Sequence, residues 1–404
     1  MTLLALGFAP AFVSRIAAES SERRKLLIVV FQRGAVDGLN MVVPFGDGEY
    51  YRARPSIAIA RPGSPDGALD LDGHFGLHPR MAAFKPLWDR RELAIVHATG
   101  SPDTTRSHFD AQDYMESATP GVKSTRDGWL NRYLSGTGSR EAGTGGNPLR
   151  GIALTKQMPR SMQGAAPALA IGSTEDFTVA DMSARTSFEE IYAAAQQDQA
   201  LRGAAGEAFD AMKTLAKKTA GQYRPANGAS YPRSPFGQAM QEIARLAKSD
   251  VGLEIAFAES TQWDHHVNEG AATGQIANRL DDFSRGIAAL AQDLGDRMAD
   301  TVILTMSEFG RAVAQNGSRG TDHGHGNAMF VIGGNVKGGS VYGKWPGLAV
   351  NDRFEGRDLA VTTDFRDVFG EIVTTHLGAD ASTTAKVFPG YTIDRRKFRG
   401  VLRA

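Results

Sequence analysis

The sequence predicts an α/β fold, a three-layer sandwich with a mostly parallel central sheet and helices on both faces. Three observations predict it. Near-continuous apolar runs of strand length recur along the chain, as expected of strands covered on both faces. Amphipathic helical patterns lie between them. Many of the 46 glycines follow the strands, where tight turns and close backbone approach are needed. A chain of 404 residues, 42% hydrophobic and 22% charged, is long enough for one such domain with a sizeable core.

The elements follow in order. Residues 3–13 (LLALGFAPAFV) are apolar but too short to span a bilayer. Their length suits the central region of an export signal, and the small residues Ala17 and Ala18 follow. The first positive side chain is Arg15, so the basic leader is missing. The reading is that residues 1–24 are the remnant of a longer signal, and a frayed or buried N-terminal helix is the alternative. No later stretch reaches the roughly 20 apolar residues of a membrane span.

Strands are predicted at 25–32 (KLLIVVFQ), 92–97, 168–171, 253–258, 301–306 and 328–332. Within 273–298, Ile276, Leu280, Phe283, Ile287, Leu290, Leu294 and Met298 recur at spacings of three and four, which makes a helix with one apolar face. Residues 108–116, 234–248 and 364–377 also read as helices. The stretch 136–250 looks like an insertion or cap over one continuous sheet, with a helix over 188–218 between Gly-rich segments. Gly333-Gly334 and Gly338-Gly339 frame a hairpin turn before a strand at 340–342.

Charge and composition exclude several chemistries. Lys plus Arg and Asp plus Glu are 45 each, so no net field draws in nucleic acid or an acidic membrane. There are nine histidines and no cysteine. Disulfides, thiolate zinc sites, iron–sulfur clusters and a cysteine nucleophile are therefore out. The glycine-rich fingerprints of nucleotide binding are absent, as is the GxSxG elbow.

Ligands of open α/β sheets bind beyond the carboxyl ends of the strands. There the sequence places Arg33, Asp37 and Asn40; then Thr105, Arg106, Ser107 and His108; then Asp264, His265 and His266; then Glu308 and Arg311. The loop before the strand at 328–332 carries Asp322, His323, His325 and Asn327, and the five loops can converge if the strands are parallel neighbours. Asp264 and His266 are two apart, as are His323 and His325, so each pair shares a side of an extended backbone. Imidazole with carboxylate suits Zn²⁺, whereas Mn²⁺, Mg²⁺ or Ca²⁺ favour the oxygens. Asp37, Asp264, His266, Glu308, Asp322, His323 and His325 are the candidate ligands. The bland reading is a set of solvated loop residues near helix starts. Ser107 is either a helix cap or an activated nucleophile, with Thr105 as the alternative attacking hydroxyl and Arg106 beside it. Arg33 and Arg311, with Asn40 and Asn327, are candidates for holding a substrate oxyanion.

The segments RGAVDGLN, TRSHFDAQDYME, WDHH, TMSEFGR, TDHGHGNAMFVIGG and VTTDFRDVFGEIV resemble the exported bacterial family named domain of unknown function 1501. That family resembles the alkaline phosphatase and sulfatase superfamily. The resemblance implies an alkaline-phosphatase-like sandwich, a twin-arginine export signal, a periplasmic or secreted address and one or two divalent metals beside a hydroxyl nucleophile. It matches Asp37 to the carboxylate after the first strand, Ser107 to the nucleophile, and Asp264 with His266 to one metal pair. Glu308 with His323 or His325 then matches a second. His108, or whichever of His265 and His323 is not a ligand, is the candidate general acid. Two departures stand out. The Asp264–His266 spacing is short, and Phe309 follows Glu308 where a histidine is expected. The expected function is hydrolysis of a phosphate or sulfate ester, of a small molecule or polysaccharide. The alternative is a non-catalytic exported binding protein that keeps the fold.

Overall fold

The computed structural model describes residues 24–138, 147–173, 211 and 214–403. The expected signal remnant and most of the expected helix over 188–218 lie outside them. The strands are β1 (Leu26–Gln32), β2 (Val42–Val43), β3 (Leu69–Asp70), β4 (Gly76–Leu77), β5 (Leu93–Gly100), β6 (Gly151–Ala153), β7 (Leu169–Ala170), β8 (Ile255–Ser260), β9 (Thr301–Met306), β10 (Arg311–Gln315), β11 (Thr321–His323), β12 (Asn327–Gly333), β13 (Ser340–Tyr342) and β14 (Thr363–Asp364).

Nine of them form one sheet in the order β13-β5-β12-β9-β1-β8-β6-β7, with β14 also paired to β5. All seven residues of β1 are buried, because its side chains alternate between two cores. Leu26, Ile28 and Val30 join Phe236, Met240, Ile276, Leu280, Phe283 and Ile287 on one face. Leu27, Val29 and Phe31 join Trp129, Leu130, Phe365 and Phe369 on the other. The helices Pro235–Lys248 and Gln275–Leu294 cover the first face. The helices Trp129–Thr137 and Phe365–Glu371 cover the second. The predicted α/β sandwich is thus present.

The helix ends follow their local chemistry. Ser234 caps the first of these helices, its Oγ accepting from the Gly237 N–H, and Pro235 follows at the first helical position. The pattern over 364–377 divides into the helix Phe365–Glu371, capped by Asp364, and a π-helical turn at Ile372–His376.

Three arrangements differ from the sequence reading. β12 runs antiparallel to both β5 and β9, so its beginning, not its end, lies at the carboxyl edge of the parallel strands. The glycine-framed segment 333–339 is not a hairpin, because β5 lies between β12 and β13. Within 136–250, β6 and β7 extend the central sheet through β8. The helix Pro235–Lys248 packs on that sheet as well. A three-residue strand such as Gly151–Ala153 is too short to register as a period. No helix among the described residues is long and apolar enough to cross a membrane.

Candidate metal centre

Four chain segments meet at the carboxyl edge of the sheet. The loop after β1 turns at Gly34, whose φ is +111°. A Cβ there would stand 2.9 Å from the Asp264 N, so glycine allows this loop to touch the loop after β8. Beyond β5 the helix His108–Ser117 begins with Ser107 as its N-cap. Beyond β9, Glu308 and Phe309 lead into an antiparallel ribbon of β10 and β11, in which Arg311 faces His323. Gly310 lets this ribbon close down, since a Cβ there would lie 1.8 Å from the Gly326 O.

This convergence brings His108, Asp264 and His323 together, each offering a ligand atom within 4.8 Å of the others. His266 completes the group. Its Nε2 lies 2.9 Å from His323 Nε2 and 3.0 Å from Asp264 Oδ1. The other two imidazoles point Nε2 at the same carboxylate. His323 Nε2 is 3.3 Å from Asp264 Oδ1, and His108 Nε2 is 3.5 Å from Oδ2.

The opposite ring nitrogens explain the arrangement. His108 Nδ1 lies 2.8 Å from Glu308 Oε1, and His323 Nδ1 lies 2.9 Å from the Arg106 carbonyl. His266 Nδ1 faces Asp322 Oδ1 at 3.5 Å. Acceptors on the Nδ1 side place the proton there and leave each Nε2 as a bare lone pair. Two bare nitrogens 2.9 Å apart beside a carboxylate repel one another unless a proton or cation stands among them. His108 Nε2 is moreover buried with no hydrogen-bond partner. The donor set therefore fits a divalent ion with nitrogen and oxygen ligands.

The surrounding charges hold the set in place. Glu308 is fully buried and accepts from Gly34 N and Gln112 Nε2, both at 2.9 Å, as well as from His108. Burial would raise its carboxyl, but these hydrogen bonds hold it below its ordinary range. Its hydrogen bond in turn raises His108. Arg311 donates from Nη2 to Asp264 Oδ1 at 2.7 Å, and from Nε and Nη1 to the carbonyls of Ala35 and Thr321. Phe309 packs beneath the site, its ring 5.0 Å from His108 and 5.1 Å from His323.

The family model for "Protein of unknown function (DUF1501)" matches residues 24–370. The chain belongs to the DUF1501 family. No curated protein matches its sequence. Two of the solved structures similar to it show the likeness. One is the C-terminal periplasmic domain of EcEptC from Escherichia coli in complex with Zn, at 9% identity and a TM-score of 0.36, covering 78% of this chain and 74% of that one. The other is the PsFucS1 sulfatase from Pseudoalteromonas sp., at 13% identity and a TM-score of 0.34, covering 82% and 68%.

Several predicted site residues of this DUF1501 chain are engaged elsewhere. Asp37, expected among the ligands, is buried and ion-paired with Arg54, and it caps the short helix Gly38–Met41. Burial would raise its carboxyl, but the Arg54 charge brings it down. Asn40, expected on substrate, accepts from Tyr50 Oη and Arg54 Nη1 and donates to the Ile57 carbonyl. Asn327 braces the Val36 and Phe309 carbonyls. His325 is buried and stacks on Phe354 at 4.5 Å, outside the His108–Asp264–His323 group. Arg106 is taken by Asp358 and Glu355. Arg33 is taken by Glu116, Glu259 and Gln112.

Other candidates take different positions from those expected. Glu308 and Asp322 stand behind histidines rather than among the converging atoms. His108, read as a general acid, is itself one of the converging imidazoles. His265 is buried, its Nδ1 has no partner, and burial pushes it down to about 4. Thr105 Oγ1 accepts from the Ser107 N–H at 3.2 Å, whereas Ser107 makes no side-chain cap hydrogen bond. Gln112 and Arg54 went unnoticed in the sequence. Gln112 had a signal, since a helix brings positions four apart, such as 108 and 112, onto one face. Arg54 had none.

Proposed function

We propose that this chain is an exported, divalent-metal-dependent hydrolase of phosphate or sulfate esters. The observation that carries the reading is the convergence of three imidazole Nε2 atoms on the Asp264 carboxylate, each with Nδ1 turned to a protein acceptor. His108, Asp264, His266 and His323 would hold the ion. Bound there, a divalent cation supplies Lewis acidity and lowers the pKa of a hydroxyl or water. Glu308, the Arg106 carbonyl and Asp322 orient the imidazoles, and Arg311 balances the Asp264 charge.

Ser107 is the nucleophile in this reading. It directly precedes His108 at a helix N-terminus, and its hydroxyl is not spent on capping. The helix dipole favours negative charge at that point. Its oxygen would attack the phosphorus or sulfur as the ester oxygen departs, and water would then release the covalent intermediate.

Metal analysis and an ester panel test the proposal. The purified protein should hold at least about one divalent ion per chain (Zn²⁺ or Mn²⁺ suits the mixed donors), and Asp264→Ala should abolish that content. Nitrophenyl phosphate, phosphodiester and sulfate should be turned over, and Ser107→Ala should remove turnover while leaving the metal. A metal content that Asp264→Ala does not change sinks the site. One observation favours the second reading, a non-catalytic exported binding protein. Arg33, Arg106 and Arg311 are all engaged by carboxylates and carbonyls, so none is spare to clamp an oxyanion. Loss of turnover in Ser107→Ala excludes that view.

A further inference from the structure

Behind the converging imidazoles, Glu308 does not stand alone. Gln112 lies one turn along the helix His108–Ser117 from His108, on the same face. Its Nε2 donates to Glu308 Oε1 at 2.9 Å, and the same oxygen faces His108 Nδ1 at 2.8 Å. At its other end, Gln112 Oε1 accepts from Arg33 Nη1 at 3.0 Å.

The two ends of an amide are told apart by their partners. A guanidinium offers only donors, so Arg33 takes the Gln112 oxygen and leaves the NH2 group for Glu308. Arg33 is itself held. Its Nε and Nη2 lie 2.7 and 2.6 Å from Glu259 Oε1, and Nη2 lies 2.9 Å from Glu116 Oε1. Glu116, one turn beyond Gln112, accepts from the Ser161 N–H and Oγ, both at 2.9 Å. Positions 108, 112 and 116 therefore form one stripe of the helix, tied to the chain just after β1 and just after β9.

Glu308 Oε1 also accepts from the Gly34 N–H, and Ser307 Oγ lies 3.1 Å from Oε2. A donor at position 112 draws Oε1 toward the helix that carries His108. An apolar group there would not, and a second carboxylate would repel it. On the metal-binding reading above, we infer that Gln112 is a positioning residue of the centre: its amide, oriented by Arg33, holds Glu308 Oε1 against His108 Nδ1 and so keeps His108 Nε2 open as a ligand nitrogen.

Gln112→Met and Gln112→Glu test this in the full chain, because the three side chains match in length and differ in polarity. Zn²⁺ affinity, read by competition against a fluorescent chelator, should fall in the order Gln, Met, Glu, with Gln112→Glu down about tenfold. In a Glu308→Gln background the same two substitutions should change affinity by less than about twofold, since no carboxylate is left to aim. Equal affinity for the three side chains, or equal losses in both backgrounds, overturns the role. A residue that only fills space would act independently of Glu308. A second readout needs no metal. In the metal-free protein, at a pH where the ring is neutral, the nitrogen NMR spectrum should show His108 protonated at Nδ1, and Gln112→Glu should raise the Nε2-protonated fraction. An unchanged tautomer overturns the role as well. A wild-type chain that binds no Zn²⁺ removes the metal reading, and the tautomer then decides the role of Gln112 by itself.

Discussion

The buried histidines of the fold and those of the candidate centre use their two ring nitrogens in opposite ways. His78, His97 and His376 turn Nε2 toward the carbonyls of Ala271, Val42 and Leu26 at 2.9–3.1 Å. Nδ1 of His78 and of His97 accepts a backbone N–H, from Arg80 and Ala98. These rings are neutral spacers whose Nε2 is spent on the main chain, although Nδ1 of His376 is buried without a partner, and burial pushes all three down to about 4. In His108, His266 and His323 it is Nδ1 that faces an acceptor. The free nitrogens then point at one another rather than at the fold. Which nitrogen the fold occupies separates a histidine that builds the core from one left open to a ligand.

The contrast can be broken most forcefully with acid. Each structural histidine has a folded value of about 4 against about 6.5 unfolded, so the unfolded chain binds more protons between those values. Their contribution is complete above pH 6.5 and falls as pH drops toward 4. At pH 5 the loss is about 2 kcal/mol for each ring, or about 8 kcal/mol for the three together with His265, which burial also pushes down to about 4. Urea unfolding of the metal-free protein at pH 7 and pH 5 measures it, and equal midpoints would refute the assignment.

Single substitutions should then separate the two sets. His97→Ala strands the Val42 carbonyl and leaves a hole beside Phe75 and Trp345. It should cost about 2–4 kcal/mol whether or not metal is present. His323→Ala should change the stability of the metal-free protein by less than about 1 kcal/mol, because it relieves the close contact with His266. The same unfolding curves compare them, and an equal cost for both would erase the distinction.

Glu308→Gln keeps the size of the side chain but removes the charge behind His108. It should weaken metal affinity by about 10–100-fold, read by competition against a fluorescent chelator. Unchanged affinity would mean that the Glu308–His108 pair does not tune the centre. The smallest effect belongs to Asp322→Asn. Asp322 is exposed and 3.5 Å from His266 Nδ1, so the change should be under about 1 kcal/mol in metal binding. A larger loss would move Asp322 into the ligand set.

Much of the frame was legible because burial leaves a periodic trace. β1, β5, β9 and the helix Gln275–Leu294 follow the apolar runs closely, since each must hide one or both faces. The short strands β6, β10 and β11 leave no such trace, and the antiparallel direction of β12 is invisible in its composition. The segments that supply the centre were legible too, as strand-following loops rich in His and Asp. Which residues in those loops were spoken for was not. Asp37 looked as promising as Asp264 until Arg54 took it, and Arg106 looked free until Asp358, 252 positions away, closed on it.

The sequence by itself determined the layered α/β frame, the exclusion of thiolate chemistry and the loops in which chemistry would gather. Hydrophobic periodicity and residue type are local properties, and they survive in a linear text. The tertiary structure decided the membership of the site. His108, Asp264, His266 and His323 come together, and Asp37, His325, Asn40 and Asn327 do not, because a polar side chain is committed by whichever partner the folded backbone brings within about 3 Å. That partner lies 200 residues away for His108 and Glu308, a distance over which spacing carries no information about which atoms will meet.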